Sequence, residues 1–73
     1  MSQVVLYSTD GCHLCELAQA QLDSNNTHYK IVDIIDDVDL VNRYGTRIPV
    51  VLNKDNKELG WPFELNELQQ FLG

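Results

Sequence analysis

The feature that most limits the fold is the run Gln3–Tyr7, which reads QVVLY and lacks alternation between apolar and polar residues. A short run of this kind, rich in β-branched and aromatic residues, is typical of a strand covered on both faces. We therefore expect a central strand here. A chain of 73 residues has room for one such core, because two domains would each be too small to bury enough surface. The prediction is a single domain, 1–73.

The rest of the chain supplies three more strands and three helices. Periodicity and turn residues predict, in order, a helix over 12–23, a strand over 28–34, a short helix with Leu40, Val41 and Tyr44 on one face, strands over 48–52 and 58–61, and a C-terminal helix carrying Leu65, Leu68 and Leu72. Gly45 is expected to end the short helix in a left-handed conformation. The first two strands should be parallel, because a helix connects them, and the last two antiparallel, because a tight turn does.

The acidic run over 33–39 lies between the second strand and the short helix. Asp36 or Asp37 can cap that helix. The run lacks the spacing and the glycine of a calcium loop, so we interpret it as a solvated cap region.

The cysteines of the chain, Cys12 and Cys15, lie at the predicted junction between the first strand and the first helix. Unpaired backbone N–H groups at a helix N-terminus stabilise an anion, and a thiolate is such an anion. As a structural disulfide the pair would contribute only about 2 kcal/mol, because the loop it closes is so small. The pattern therefore favours reversible thiol–disulfide chemistry.

There are three other interpretations of the cysteine pair. A structural zinc site usually has four ligands, and only His13 and His28 could add to the two thiols. Two chains could instead share a four-thiolate zinc or iron–sulfur site, which would make the protein a metal-binding module. The third interpretation is an adaptor whose dithiol is incidental.

The net charge of −6 argues against two classes of partner. Negative charge repels the phosphates of nucleic acids and of anionic membranes, so neither is expected to bind. The apolar runs are far shorter than the ~20 residues that span a bilayer. Because the N-terminus also lacks the basic and apolar regions of a signal peptide, the predicted location is the cytoplasm.

Three segments, Leu6–Glu16 with its Cys-x-x-Cys, Tyr44–Val51 with Ile-Pro-Val, and Gly60–Leu72, together resemble the glutaredoxin-like family of small thioredoxin-fold proteins. The resemblance implies a thioredoxin-like α/β fold of the βαβ-α-ββα type, with a four-stranded mixed sheet of order 2-1-3-4 flanked by helices. It also implies a small dithiol–disulfide oxidoreductase acting on protein or small-molecule disulfides.

The resemblance assigns roles to individual residues. Cys12 would be the nucleophile and Cys15 the resolving thiol. Pro49 matches the family's cis-proline beside the dithiol, which makes Ile48–Pro49 a cis bond and offers the Ile48 backbone to an extended substrate segment. Arg47 would either hold a substrate carboxylate or pair with one of the chain's own acids.

Two further candidates border the dithiol. His13, beside the nucleophile, would contact substrate, relay a proton or simply lie at the surface. Trp61, together with Tyr7, would form an apolar rim or belong to the core.

The chain also departs from glutathione-using members of the family. Thr9 and Asp10 occupy positions where a Lys is usual, and Gly60–Pro62 replaces a Gly-Gly-Asp turn. We therefore expect poor use of glutathione and better use of a flavin disulfide reductase as electron donor. No organic cofactor and no metal are expected, and the protein should be a monomer.

Overall fold

The structure is a computed structural model that describes residues 3–73, so Met1 and Ser2 of the predicted domain lie outside the described residues. The strands are β1 (Val4–Ser8), β2 (Tyr29–Asp33), β3 (Val50–Leu52) and β4 (Glu58–Gly60), and the helices are α1 (His13–Ser24), α2 (Val38–Tyr44) and α3 (Leu65–Leu72). The order of elements confirms the prediction. The longest helix has 12 residues, and among residues 3–73 no helix is long and apolar enough to cross a membrane.

The four strands form one mixed sheet in the order β2-β1-β3-β4, as the resemblance implied. β1 and β2 are parallel, with Ser8 opposite Asp33. β3 runs antiparallel to both β1 and β4, with Tyr7 opposite Val50. The carboxyl ends of β1 and β2 therefore lie at the same edge of the sheet as the start of β3.

Both faces of the sheet are covered, which confirms the prediction for the first strand. Successive side chains of a strand point to opposite faces. Leu6 and Val51 pack with α1 and α3 on one face, in a cluster that comprises Val4, Leu6, Ala18, Leu22, Val51, Phe63 and Leu68. Val50 packs on the other face with Ile34 and Tyr44, and Tyr7, Leu40 and Ile48 lie against this second cluster.

The acidic run that begins at the end of β2 forms two caps, of which the Asp37 cap of α2 was predicted. The Asp33 carboxylate accepts a hydrogen bond from the Ile35 N–H at 3.0 Å and so begins a single 3₁₀ turn, Ile34–Asp36. The Asp37 carboxylate accepts one from the Asp39 N–H at 2.9 Å and caps α2. Ile34 therefore belongs to this turn and is buried, whereas the sequence placed it at the end of the second strand.

The prediction for Gly45 was wrong. Its φ of −53° and ψ of −34° are right-handed, and its N–H donates to the Val41 carbonyl at 2.8 Å, so the helical hydrogen bonding continues through it. Glycine is required here because a larger residue would clash with the backbone. A Cβ atom at Gly45 would lie 2.5 Å from the Val41 carbonyl oxygen.

Candidate functional site

The site is built on a tight turn that follows β1. The Cys12 N–H donates to the Thr9 carbonyl at 3.3 Å, which closes a four-residue turn. Gly11, the third residue of the turn, has a φ of +76°, a conformation that glycine adopts without steric cost. The turn places Cys12 immediately before α1.

Cys12 is the N-cap residue of α1, with extended backbone angles. Its Sγ accepts a hydrogen bond from the Cys15 N–H at 3.2 Å, and its carbonyl accepts the first helical hydrogen bond from the Glu16 N–H at 3.2 Å. The sulfur thus occupies the place that Ser or Asp oxygens take at other helix starts. A backbone N–H donor therefore holds the Cys12 sulfur at the start of the helix.

Cys15 has a different environment, one turn into the helix. Only 2% of its surface is exposed, whereas Cys12 is partly exposed, and both thiols are free. Burial, reinforced by the neighbouring Cys12 sulfur, raises the pKa of Cys15 to about 12, although a hydrogen bond from the Thr9 backbone acts in the opposite direction. The pair therefore consists of one accessible thiol and one buried thiol that keeps its proton.

Pro49 lies at the same edge of the sheet as the dithiol. Tyr7 is opposite Val50 in the antiparallel β1–β3 pair. Ser8 and Pro49 are therefore the next residues of the two segments toward the carboxyl end of β1. Pro49 is buried and its peptide bond with Ile48 is cis, which confirms the bond that the resemblance implied. The Pro49 carbonyl accepts a hydrogen bond from the Trp61 N–H at 3.1 Å, which brings the end of β4 to this edge.

The sequence model of the glutaredoxin-like domain (DUF836) matches residues 3–73. The chain belongs to this family. No curated protein matches it. The fold and the family predicted from the sequence are thereby confirmed.

Solved structures agree with this glutaredoxin-like fold. The protein XcR50 from X. campestris is 37% identical, with a TM-score of 0.89 over 94% of this chain and 93% of that chain. The thioredoxin-like protein BC3987 is 25% identical, with a TM-score of 0.73 over 96% and 100% of the two chains. The glutaredoxin from Archaeoglobus fulgidus, at 18% identity and a TM-score of 0.69 over 96% and 85%, shares the fold.

Arg47, a predicted substrate contact of this glutaredoxin-like domain, is paired within the chain. Its Nη2 lies 3.3 Å from Oε1 of Glu58, and the second carboxylate oxygen of Glu58 accepts a hydrogen bond from the Tyr44 hydroxyl. The Tyr44 hydrogen bond, together with Arg47 and Arg43, lowers the pKa of Glu58, although partial burial opposes the shift. Of the two alternatives for Arg47, the structure shows the pair with an acid.

Tyr44 is the centre of this cluster and is almost completely buried. Its ring stacks on Tyr7 with centroids 4.6 Å apart, and the guanidinium carbons of Arg43 and Arg47 lie 5.3 and 5.7 Å from its centroid. Sequence reasoning placed Tyr44 on a helix face but missed Glu58 and Arg43. Because Tyr44 and Glu58 lie 14 residues apart in the chain, no local sequence pattern pointed to this contact.

Of the remaining candidates, one is exposed and two are partly buried against the core clusters. His13 is 81% exposed and its Nδ1 lies 3.9 Å from the Glu16 carboxylate. Trp61 packs edge-to-face on Phe63, with centroids 5.0 Å apart, against the larger core cluster. Tyr7 packs on the other face of the sheet. Within residues 3–73 no group of three or more His, Cys, Asp or Glu side chains is placed to hold a metal ion.

Proposed function

We propose that this glutaredoxin-like domain is a dithiol–disulfide oxidoreductase in which Cys12 is the nucleophile and Cys15 the resolving thiol. The observation that carries the proposal is the asymmetry of the pair. Cys12 is partly exposed and accepts an N–H hydrogen bond at the helix start, whereas Cys15 is buried directly behind it. Attack by an accessible thiolate followed by attack from a second thiol is the chemistry that such a pair can perform.

The reaction balances in two steps. The Cys12 thiolate attacks one sulfur of a substrate disulfide, a mixed disulfide forms, and the other substrate sulfur leaves as a thiolate that takes up a proton. Cys15 then loses its proton and attacks Sγ of Cys12, which releases the second substrate thiol. The substrate gains two electrons and two protons, and the Cys12–Cys15 pair becomes a disulfide.

The segment before β3 borders this reaction. The Ile48 N–H already donates to the Tyr44 carbonyl at 3.0 Å, so we propose that the Ile48 carbonyl accepts a hydrogen bond from an extended substrate backbone beside Pro49. His13 and Trp61 would contact the substrate at the margin, and Arg47 would do so only by leaving Glu58.

The donor and the setting complete the proposal. A flavin disulfide reductase would regenerate the dithiol in the cytoplasm, and glutathione would do so poorly. The chemistry requires neither an organic cofactor nor a metal, since both electrons come from sulfur.

The test is to trap the mixed disulfide with two matched variants. Cys15→Ser retains the nucleophile but cannot resolve, so it should accumulate a mixed disulfide on incubation with 2-hydroxyethyl disulfide. Cys12→Ser retains only the buried thiol and should accumulate little adduct. Intact-protein mass spectrometry measures both. Equal adducts on the two variants would contradict the assigned roles, and the absence of any adduct would contradict the proposed function.

A further inference from the structure

The exposed large apolar side chains all lie in one half of the described chain. They belong to α1, β2, the 3₁₀ turn and α2, and they are Leu14, Leu17, Ile31, Ile35, Val38 and Val41. Over residues 3–73, β3, β4 and α3 contribute none of this class. Exposed apolar side chains indicate an interaction site where they are contiguous, whereas single scattered ones are normal on any protein.

The negative charge is concentrated in the same half. Residues 1–44 contain seven acidic and two basic side chains, a net charge of −5, whereas residues 45–73 contain four acidic and three basic ones, a net charge of −1. One of the two basic residues of the first half, Arg43, lies 3.9 Å from Glu58. The part of the chain that carries the exposed apolar side chains therefore also carries most of the negative charge.

The register of β1 and β2 places some of these exposed apolar residues at the same edge of the sheet as the dithiol. Because Ser8 is opposite Asp33 in a parallel pair, the chain leaves both strands at the same edge. One exit leads to Cys12 and the other to the 3₁₀ turn and α2. Leu14, between the cysteines, is 42% exposed, and Ile35 and Val38 are 67% and 75% exposed.

We call these three residues, with the exposed Asp10 and Asp36, the carboxyl-end surface. We propose that this surface docks a cationic, apolar segment of the protein that carries the substrate disulfide. The inference rests on the proposed function and names its substrate class. Apolar side chains offer burial to the segment, and the surrounding carboxylates steer Lys or Arg toward the dithiol. A second copy of this chain would bring the same negative charge and be repelled.

The experiment compares three disulfides as substrates of the wild-type protein. They are 2-hydroxyethyl disulfide, a cyclic peptide with Lys and Leu beside its disulfide, and the same peptide with every Lys replaced by Glu. At about 10 mM salt, where screening is weak, kcat/KM for the Lys peptide should exceed that for the Glu peptide at least about tenfold. In about 0.5 M salt the ratio should fall toward one.

Matched charge reversals locate the effect. Asp36→Lys lies on the carboxyl-end surface, whereas Asp55→Lys makes the same charge change in the β3–β4 turn at the opposite end of the molecule. Relative to 2-hydroxyethyl disulfide, Asp36→Lys should lower turnover of the Lys peptide about fivefold, and Asp55→Lys should leave it unchanged. Val38→Ser should also lower turnover of the Lys peptide, because an apolar contact is lost.

Four outcomes would overturn the inference. Two of them require that 2-hydroxyethyl disulfide is still reduced. They are equal kcat/KM for the two peptides at low salt and equal effects of the two Lys variants, and either would show that the surface does not select charge. A dimer at micromolar concentration in light scattering, dissociated by Val38→Ser, would show that a second copy occupies the surface. Lack of turnover of all three disulfides would instead contradict the proposed function and this inference with it.

Discussion

The hydroxyl of Tyr44, at the end of α2, donates a hydrogen bond to the carboxylate of Glu58, the first residue of β4. The segment between Tyr44 and β3 contains Arg47 and the cis bond before Pro49. The Tyr44 carbonyl also accepts hydrogen bonds from the N–H groups of Arg47 and Ile48 at 2.8 and 3.0 Å, and the Trp61 N–H donates to the Pro49 carbonyl at 3.1 Å at the other end of the segment. Contacts remote from the cysteines in sequence therefore position a segment that lies at the same edge of the sheet as the dithiol.

Replacing Tyr44 with Phe should lower the free energy of unfolding by about 2 kcal/mol, because a partly buried hydrogen bond to a charged group is lost. Tyr29→Phe is the matched control. Its hydroxyl donates to Asp23 at 3.0 Å in an exposed position, so the loss should stay below about 0.5 kcal/mol. Urea unfolding at neutral pH measures both, and equal losses would mean that the Tyr44–Glu58 contact has no special weight.

Gly45→Ala should destabilise the fold by about 1–3 kcal/mol, the usual cost of overpacking. The added Cβ would meet the Val41 carbonyl at 2.5 Å, although the backbone of Gly45 is right-handed. Gly60→Ala provides the control, since nothing lies within 4 Å of a Cβ there. Thermal unfolding separates the two, and a stabilised Gly45→Ala variant would refute the steric explanation.

Local patterns were enough to predict the elements and the position of the dithiol. Gln3–Tyr7 indicated a strand covered on both faces, and helical spacing from Cys12 placed the cysteines at a helix start. These inferences succeed because neighbouring residues determine strand alternation, helix periodicity and capping.

Features that depend on the register between distant strands were beyond the sequence. Arg47 could have paired with many acids, and only the β3–β4 register brings Glu58 to it. Gly45 was misjudged for a different reason. Glycine near a helix end usually marks a left-handed residue, but here Gly45 is right-handed and the Val41 carbonyl leaves no space for a Cβ.

The reduced protein should lose stability as the pH rises above about 9. Burial raises the pKa of Cys15 from 9.0 to about 12, so the folded state holds this proton more tightly than the unfolded state does. The contribution of Cys15 to stability is complete below its pKa in the unfolded state. It is lost as the pH rises through its pKa in the folded state. Tyr29 and Tyr44, whose pKa values burial also raises, add to the decline.

The control for this prediction is Cys15→Ala, with wild type and variant both kept in a phosphine reductant. Between pH 7 and 11 the midpoint temperature of thermal unfolding should fall less steeply for the variant, because only the tyrosine contributions remain. Parallel curves would mean that Cys15 ionises equally easily in both states.

Purified reduced protein should contain less than stoichiometric zinc and iron. A thiol must lose its proton to ligate a metal, and the buried Cys15 with its pKa near 12 resists that loss. Elemental analysis by mass spectrometry after aerobic and anaerobic purification provides the measurement. One metal site for every two chains, abolished by Cys12→Ser, would support the shared metal site instead.

A flavin disulfide reductase should regenerate the dithiol faster than glutathione does at physiological salt. Glutathione is an anion, the chain carries a net charge of −6, and Arg47 is engaged with Glu58 at 3.3 Å. Glu58→Gln frees Arg47 while keeping the side-chain shape, so it should raise the rate with glutathione a few-fold. Saturable turnover of wild type with glutathione alone would contradict the prediction.

β3 is only three residues long, yet it contributes a buried residue to each of the two core clusters. Val50 packs on one face of the sheet and Val51 on the other. A slip of one residue along β1 would exchange these faces and disrupt both clusters at once. Neither layer of helices can therefore detach while the other stays packed. The molecule should melt in a single all-or-none transition, with the same midpoint whether helix content or tryptophan fluorescence is followed.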